Sequence, residues 1–281
     1  MQVIDGNAIA ADILSKLRAK IIKQNLRPHL GVVLVGDNQA SKTYVRKKQE
    51  AAESIGVKFS LYRFPENIQQ GELEEEIDLI QQEDLSGIIV QLPLPKDLDK
   101  KTVLNKLTAD IDVDFLTWVS LGKLLIGETS MLPPSPAAVM EILSRYKVDL
   151  RGKHVVLVGS GDLIGKPLKN ILVKLPLTLT VCNKDTKNLP KFTKMADIII
   201  TGVGKPGMIK GNMVKSGVVA IDAGVSFEGK KQKGDLDFAS VSKKASLITP
   251  TPGGVGPITV AKLLENTVIN AARKVNWKQV R

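Results

Sequence analysis

The chain is nearly devoid of the residues that most often carry metal and redox chemistry. It has one cysteine, Cys182, and two histidines, His29 and His154, in 281 residues. A disulfide within the chain is therefore excluded, and a thiolate zinc site lacks ligands. Both histidines lie next to or within apolar strand patterns. That context assigns them to structure, and it leaves His-dependent triads and two-His zinc motifs without support. No metal is expected. Aromatic residues make up 4% of the chain, too few for the stacking platforms that hold single-stranded nucleic acid. No apolar run reaches membrane-spanning length. The opening Met1-Gln2-Val3-Ile4-Asp5-Gly6 lacks a basic segment followed by an apolar core, so no secretory signal is expected. The expected compartment is the cytoplasm, with neither a membrane nor a nucleic acid as partner. Acidic residues are also in deficit, 29 against 40 Lys and Arg, for a net charge of +11. The basic residues are spread along the chain, the densest cluster being Lys230-Lys231-Gln232-Lys233. Such a field attracts anionic small molecules or keeps the surface soluble.

What is present is a regular alternation of apolar runs and helical periodicity, the pattern of a mostly parallel α/β protein. At 43% hydrophobic residues, the chain is globular and long enough for two domains. In the first half, helices are expected over Ala8–Gln24, Ser41–Ile55 and Glu72–Gln82. Strands are expected over Leu30–Val35, Val57–Phe64 and Gly87–Leu92. Residues 96–132 read as irregular with short helices, and Ser135–Tyr146 as a helix linking two halves. The second half reads as strands at His154–Val158, Leu177–Cys182, Ile198–Thr201, Val218–Asp222 and Leu247–Ile248. A helix over Leu163–Lys174, a hairpin over Ser226–Gly234 and a last helix over Pro257–Val275 complete it. Asn276 to Arg281 are expected to fray.

Five segments suggest chemistry. The loop Thr249-Pro250-Thr251-Pro252-Gly253-Gly254-Val255-Gly256-Pro257 packs three prolines and three glycines into nine residues ahead of a helix. Pro257 suits a first helical position, and a glycine turn feeding a helix lets backbone amides approach a flat or anionic ligand. Tyr44 and Lys48 stand four apart on an expected helix and share a face. A lysine facing a partly desolvated cleft has a depressed pKa and suits acid–base work, although Arg46-Lys47-Lys48 also reads as an ordinary solvated basic face. Gln91 closes a strand at the end where open α/β sheets place their sites, and Asp112-Val113-Asp114 offers carboxylates to an amino-pyrimidine edge. In the second half, Val155-Val156-Leu157-Val158 runs into Gly159-Ser160-Gly161-Asp162-Leu163-Ile164-Gly165-Lys166-Pro167. A strand, a glycine turn and a helix in that order suit a pyrophosphate at a helix N-terminus. The spacing is Gly-x-Gly-x-x-x-Gly, one residue longer than the common dinucleotide fingerprint.

These strings, in this order, resemble the bifunctional methylenetetrahydrofolate dehydrogenase/cyclohydrolase family. The likeness rests on Pro252–Pro257 (PGGVGP), Tyr44-x-x-x-Lys48, Gln91–Pro95 (QLPLP), Asp112–Asp114, Gly159 with Gly165 and Pro167, Ile221–Val225 and Gly234–Phe238. It spans roughly residues 1 to 275. The resemblance implies an α/β fold of two domains with an active-site cleft between them. Residues 1–138 plus 258–281 would form a folate-binding catalytic lobe, and 139–257 a Rossmann-like NAD(P)-binding lobe. It implies oxidation of 5,10-methylenetetrahydrofolate with NADP, hydrolysis to 10-formyltetrahydrofolate, and a homodimer acting on tetrahydrofolate derivatives. Lys48 would be the central residue of the hydrolytic step, oriented by Gln91. Tyr44 would pack on the folate and Asp114 would anchor the pterin ring, with Gly253, Gly254 and Pro257 also at the substrate. Gly159, Ser160, Gly161, Ile164, Gly165, Lys184, Val225 and Thr249 would surround the cofactor.

The chain departs from the family pattern at several points. Phe115 stands where glycine is usual and Ile111 where lysine is usual, and a bulky Phe115 is expected to reshape the pterin pocket. Ser160 and Gly161 replace an Arg-Ser pair whose arginine is expected to hold the 2′-phosphate of NADP. Cys182-Asn183-Lys184-Asp185 replaces Cys-His-Ser. Lys184 would restore the lost positive charge and keep NADP, whereas Asp185 on a free ribose hydroxyl would favour NAD. The alternatives are a cyclohydrolase alone, an NAD-dependent variant, and a folate or nucleotide binder without catalysis.

Overall fold

A computed structural model describes residues 1–229 and 231–279, with side chains to Val275. Lys230, Val280 and Arg281 lie outside the described residues, as do the side chains of 276–279. The backbone of 276–279 continues the last helix where fraying was expected, and the rest of that expectation, at Val280 and Arg281, lies outside the described residues. In chain order the elements are β1 (Gln2–Val3), α1 (Gly6–Lys23), β2 (His29–Val35), α2 (Gln39–Ser54), β3 (Lys58–Phe64), α3 (Gln70–Ile80), β4 (Gly87–Val90), α4 (Lys100–Asn105), α5 (Trp118–Ile126) and α6 (Pro134–Arg145). They continue with β5 (His154–Val158), α7 (Gly165–Leu172), β6 (Thr178–Cys182), α8 (Leu189–Thr193), β7 (Ile198–Thr201), β8 (Val219–Asp222), β9 (Ser226–Glu228), β10 (Lys231–Lys233), α9 (Phe238–Val241), β11 (Leu247–Ile248) and α10 (Val255–Gln279). The chain divides into two units. One comprises Met1–Ala10 and Ser135–Thr259, the other Ala11–Pro134 and Val260–Arg281.

In the unit containing residues 11–134, β2 lies between β3 and β4 in a parallel sheet. All seven residues of β2 are buried, which is why it reads as an unbroken apolar run rather than an alternation. Val33, Val35, Ile88 and Val90 pack with Leu73, Ile77 and Ile80 of α3 and with Val103 and Leu104 of α4 into one core. Helix α2 starts at Gln39, two residues before the expected Ser41, because the Asn38 side chain accepts the Ser41 amide at 3.0 Å and caps it. His29 joins β2 to β3 through Nε2 and Ser60 Oγ at 2.8 Å, a structural role.

The other unit is built on a parallel sheet of order β1-β11-β8-β7-β5-β6, with β9 and β10 as a separate antiparallel hairpin. Strand β5 has β6, its successor, on one side and β7 on the other. The chain thus reverses its direction of travel across the sheet at β5, which opens a crevice between the C-terminal ends of β5 and β7. Val156, Val158, Ile199 and Ala220 from the strands meet Ile209, Leu236 and Val241 in the core of this unit. His154 Nε2 pairs with Thr180 Oγ1 at 2.8 Å, again between neighbouring strands.

Three short elements were not expected from sequence: β1, α8 and α9. Strand β1 exists only because Gln2 and Val3 pair with Leu247 and Ile248, a contact far along the chain. Helices α8 and α9 are five and four residues long, too short to show a period. Helix α10 begins at Val255, so Pro257 sits in its first turn rather than at its first position. The proline costs no hydrogen bond there, since the first N–H groups of a helix have no intrahelical partner. Among the described residues no helix is long and apolar enough to cross a membrane, and no cluster of three or more His, Cys, Asp or Glu side chains is placed to hold a metal ion.

Candidate functional site

Within residues 11–134, helix α2 and strand β4 bring Lys48 and Gln91 together. The basic run of α2 divides by its helical positions. Arg46 and Lys47 are exposed, with Arg46 near Glu50 at 3.6 Å, whereas Lys48 is half-buried. Lys48 Nζ donates to Gln91 Oε1 at 2.9 Å. Gln91 follows β4 directly, is buried, and is fixed at both ends: its amide N–H donates to the Val33 carbonyl and its Nε2 to the Leu92 carbonyl, both at 2.8 Å. Its side-chain oxygen is thereby aimed at the lysine. Burial holds the Lys48 pKa below the usual lysine value, and the negative charge of Asp114 opposes that shift. Burial likewise raises the Asp114 pKa, with Lys48 lowering it and Asp112 adding to the rise. Both are half-buried, and each charge makes the other's ionised form tolerable. Tyr44 is one turn before Lys48 on α2 and is also half-buried.

The Asp112–Asp114 segment is held by groups that sequence reading did not single out. Asp112 is buried, and its carboxylate accepts the Leu116 and Thr117 amides at 3.0 and 2.9 Å. From α10, Asn266 Nδ2 donates to the Val113 and Leu132 carbonyls and Asn270 Nδ2 to the Asp110 carbonyl, each at 2.9 Å. The available signal was a pair of asparagines four apart on one face of the expected last helix, where a buried amide needs a partner. Gly87 of β4 admits the same segment, since a Cβ there would stand 2.8 Å from Val113 Cγ1.

Phe115 occupies a left-handed backbone conformation at φ 59° and is 5% exposed. The positive φ is the physical reason a glycine suits the position. Phe115 and Ile111, two of the departures from the family pattern, line one cavity of about 710 Å³ with Asp112, Lys123, Met131 and Arg273. Tyr44, Lys48, Gln91 and Asp114 are not among its lining residues.

In the unit containing residues 135–259, the glycine turn follows β5 at the crevice. Gly159 has φ 119°, and a Cβ on it would lie 2.6 Å from the Gly202 carbonyl oxygen. A Cβ on Gly165 would run into the Gly159 carbonyl and the Ser160 backbone, so this glycine seats α7 against the turn. Gly161 meets nothing within 4 Å, and it and Ser160 are exposed. Ile164, ahead of α7, offers no side-chain cap; the Lys166 amide instead donates to the Gly161 carbonyl at 3.0 Å and the Leu168 amide to the Ile164 carbonyl at 2.9 Å, so the turn and the first turn of the helix are tied together. At the end of β6, Lys184 and Asp185 are both exposed, in a turn closed by Asn183 Oδ1 accepting the Asp185 amide at 3.0 Å. Val225 is 39% exposed. Thr249 is buried, and its Oγ1 accepts the Asp222 amide at 2.7 Å, so its hydroxyl has a structural task.

The proline–glycine loop belongs to this same unit. Gly253 has φ 96°, and its carbonyl accepts the Gly6 amide at 2.8 Å. A side chain on Gly254 would strike the Pro250 carbonyl. Gly253, Gly254 and Pro257 therefore fall in one unit, and Tyr44, Lys48, Gln91 and Asp114 in the other.

Comparison with known proteins adds independent support. Residues 4–114 match the catalytic domain of tetrahydrofolate dehydrogenase/cyclohydrolase, and residues 133–275 match the NAD(P)-binding domain of the same family. The bifunctional protein FolD of Campylobacter hominis is 40% identical over 98% of this chain and 99% of its own. The crystal structure of the bifunctional FolD enzyme of Campylobacter jejuni superposes with a TM-score of 0.93 at 41% identity, covering 98% of this chain and 99% of that one. The FolD structure of Trypanosoma brucei, described as complexed with NADP cofactor and inhibitor, also reaches a TM-score of 0.93, at 35% identity, with 97% and 98% coverage. Family models across both units, and relatives matched end to end, establish that the chain belongs to the tetrahydrofolate dehydrogenase/cyclohydrolase family.

Proposed function

We propose that this chain oxidises 5,10-methylenetetrahydrofolate to the methenyl cation with NADP and then hydrolyses the cation to 10-formyltetrahydrofolate. The observation that carries the reading is the Lys48–Gln91 pair, a lysine with a depressed pKa held by a fixed amide oxygen. In the hydrolytic step Lys48 assists addition of water to the methenyl carbon, by taking a proton directly or by passing it through a hydrogen-bonded chain. Gln91 orients the lysine, Tyr44 packs on the folate and Asp114 accepts hydrogen bonds from the pterin edge. Gly253, Gly254 and Pro257 contribute a substrate loop. The nicotinamide supplies the redox chemistry, and the protein's task there is to position it.

The cofactor-binding role falls to the unit with residues 135–259, which also carries the substrate loop, and the proton chemistry to Lys48 and Gln91 within residues 11–134. Gly159, Ser160, Gly161, Ile164 and Gly165 receive the pyrophosphate at the N-terminus of α7, while Val225 and Thr249 stand towards the nicotinamide half. NADP is the cofactor, with Lys184 meeting the 2′-phosphate in place of the arginine that Ser160 lacks. Its exposed ammonium at the end of β6 supports this. The NAD reading rests on Asp185, exposed beside it. A homodimer working in the cytoplasm is the assembly proposed, on the family resemblance alone.

The test is conversion of methylenetetrahydrofolate to methenyl- and formyltetrahydrofolate with NADP and NAD compared side by side. Turnover favouring NADP supports the full reading. Turnover with NAD only assigns Asp185 to the ribose. Hydrolysis of supplied methenyltetrahydrofolate without any oxidation would leave a cyclohydrolase alone, and absence of both activities would leave a binder. Sedimentation at micromolar concentration checks the dimer.

A further inference from the structure

The crevice between β5 and β7 has two walls. One is the Gly159–Gly165 turn. The other is the segment Gly202–Lys205, which leaves the C-terminal end of β7 and touches the first: a Cβ on Gly202 would lie 3.0 Å from Ile164 Cγ2. This second wall carries glycines at 202 and 204, with φ of 74° at Gly204, and a third, Gly207 at φ 60°, follows just beyond it. Such a backbone has little stiffness of its own. It is fixed by a side chain some thirty residues further on. Asp235 is fully buried, and its carboxylate accepts the Val203 amide at 2.6 Å and the Lys205 amide at 2.7 Å.

Asp235 is itself held. Its amide donates to Asp222 Oδ1 at 3.1 Å, and that oxygen also accepts the Thr201 hydroxyl at 3.0 Å and the Gly224 amide at 3.1 Å. Asp222 Oδ2 accepts the Leu236 amide at 2.8 Å. Side chains on Gly224 or Gly234 would run into the Asp235 or Asp222 carboxylate respectively, so both glycines make room for the pair. Among the described residues neither carboxylate has a lysine or arginine ion-pair partner. Two adjacent carboxylates buried on backbone amides are costly for mere loop closure, which an apolar contact would achieve. Their distinctive property is directional: one planar carboxylate fixes two amides of the same wall at once.

We propose that Asp235, backed by Asp222, is a positioning residue for cofactor binding. It holds the Val203–Lys205 backbone in the arrangement that receives the nucleotide, without touching the nucleotide itself. This inference rests on the NAD(P)-binding reading of the unit.

The test is Asp235→Asn in the full-length protein. The amide keeps one acceptor and presents an NH2 to the other backbone donor, so one of the two contacts is lost with little change in volume. The expected result is at least a tenfold rise in Kd for NADPH by fluorescence titration. The KM for NADP rises with it, while kcat at saturating cofactor stays within about threefold. Hydrolysis of supplied methenyltetrahydrofolate, which needs no cofactor, stays within twofold of the parent. An unchanged Kd, or a cyclohydrolase loss in step with the dehydrogenase loss, overturns the positioning role. A parent protein that binds neither NADP(H) nor NAD(H) overturns the cofactor reading and this inference together. Hydrogen exchange on the parent protein covers the case in which the variant does not fold. The Val203 and Lys205 amides are expected to exchange at least a hundredfold slower than an unbonded amide, with no nucleotide present, and fast exchange overturns the proposal.

Discussion

Lys48 Nζ and Gln91 Oε1 stand 2.9 Å apart, and the glutamine is the fixed member of the pair. Gln91 is tied through its backbone to β2 and through its Nε2 to the Leu92 carbonyl, whereas Lys48 reaches it across a flexible four-carbon stem. The amide oxygen therefore sets where the ammonium sits. Because that oxygen is neutral, it orients the lysine without raising its pKa as a carboxylate in the same place would. Substitution at each of the two residues separates the proton-handling role from the orienting one.

Removing the amine tests the catalytic role. Lys48→Met keeps the apolar stem and loses the proton-handling group. Cyclohydrolase kcat is expected to fall by about 10²–10⁴, the range general acid–base groups supply, with far-UV circular dichroism unchanged. A folded variant with parental hydrolysis rates would show that Lys48 is not the group responsible.

Changing the partner's charge tests the positioning role of Gln91. Gln91→Glu places a carboxylate against the ammonium, so the Lys48 pKa is expected to rise from its burial-depressed value. The limb of the cyclohydrolase pH–rate profile that reports Lys48 should move to higher pH by about one unit or more, a shift worth about 1.4 kcal/mol per unit. Gln91→Ala should lower the rate without that displacement.

Phe115 sets two effects against each other. Its left-handed backbone costs about 1–3 kcal/mol in a non-glycine residue, and its buried ring is worth about 3–5 kcal/mol on truncation. Burial of the ring outweighs the backbone strain. Phe115→Gly is therefore expected to destabilise the protein by about 1–3 kcal/mol, less than a typical buried Phe truncation. Urea denaturation of the variant beside the parent measures it, and a gain in stability would mean the backbone strain dominates.

Asp222 makes stability depend on pH. It is 3% exposed, and burial pushes its pKa up from 3.8 to about 6, the nearby Asp235 adding to the rise and the amides of Leu236 and Asp235 opposing it. Between about pH 4 and pH 6 the folded protein holds a proton that the unfolded chain has released. This group therefore favours folding as pH falls through 6 and opposes it above, by about 3 kcal/mol when fully ionised, at about 1.4 kcal/mol per unit. The stability of the parent relative to Asp222→Asn should improve by about 1–2 kcal/mol between about pH 7.5 and pH 5. A constant gap across that window would place the titration elsewhere.

Cofactor choice is expected to follow Lys184. Lys184→Ala should lower kcat/KM for NADP about tenfold, in line with one charge-assisted contact of about 1.5 kcal/mol, and leave NAD nearly unaffected. Ser160→Arg in that background should recover NADP use. Equal losses with both cofactors would remove Lys184 from the 2′-phosphate.

The sequence by itself determined the parallel α/β pattern and the order of the chemical motifs. Strands such as β2, β4, β5 and β7 are buried on both faces and read as unbroken apolar runs, and the glycine turn after β5 announces itself because residues with a side chain cannot take Gly159's contact with Gly202. These are local consequences of burial and backbone sterics. What only the tertiary structure decided were the partnerships. Of three adjacent basic residues, Lys48 alone of Arg46-Lys47-Lys48 turns inward to meet Gln91, 43 residues away. Asn266 and Asn270 serve carbonyls more than 130 residues earlier, and Asp235 reaches back 32 residues to the Val203 amide. Strand β1 likewise exists only against β11. A polar side chain carries the same local signal whether it faces water or a buried amide; its hydrogen-bond partner and its desolvation are created when distant segments meet.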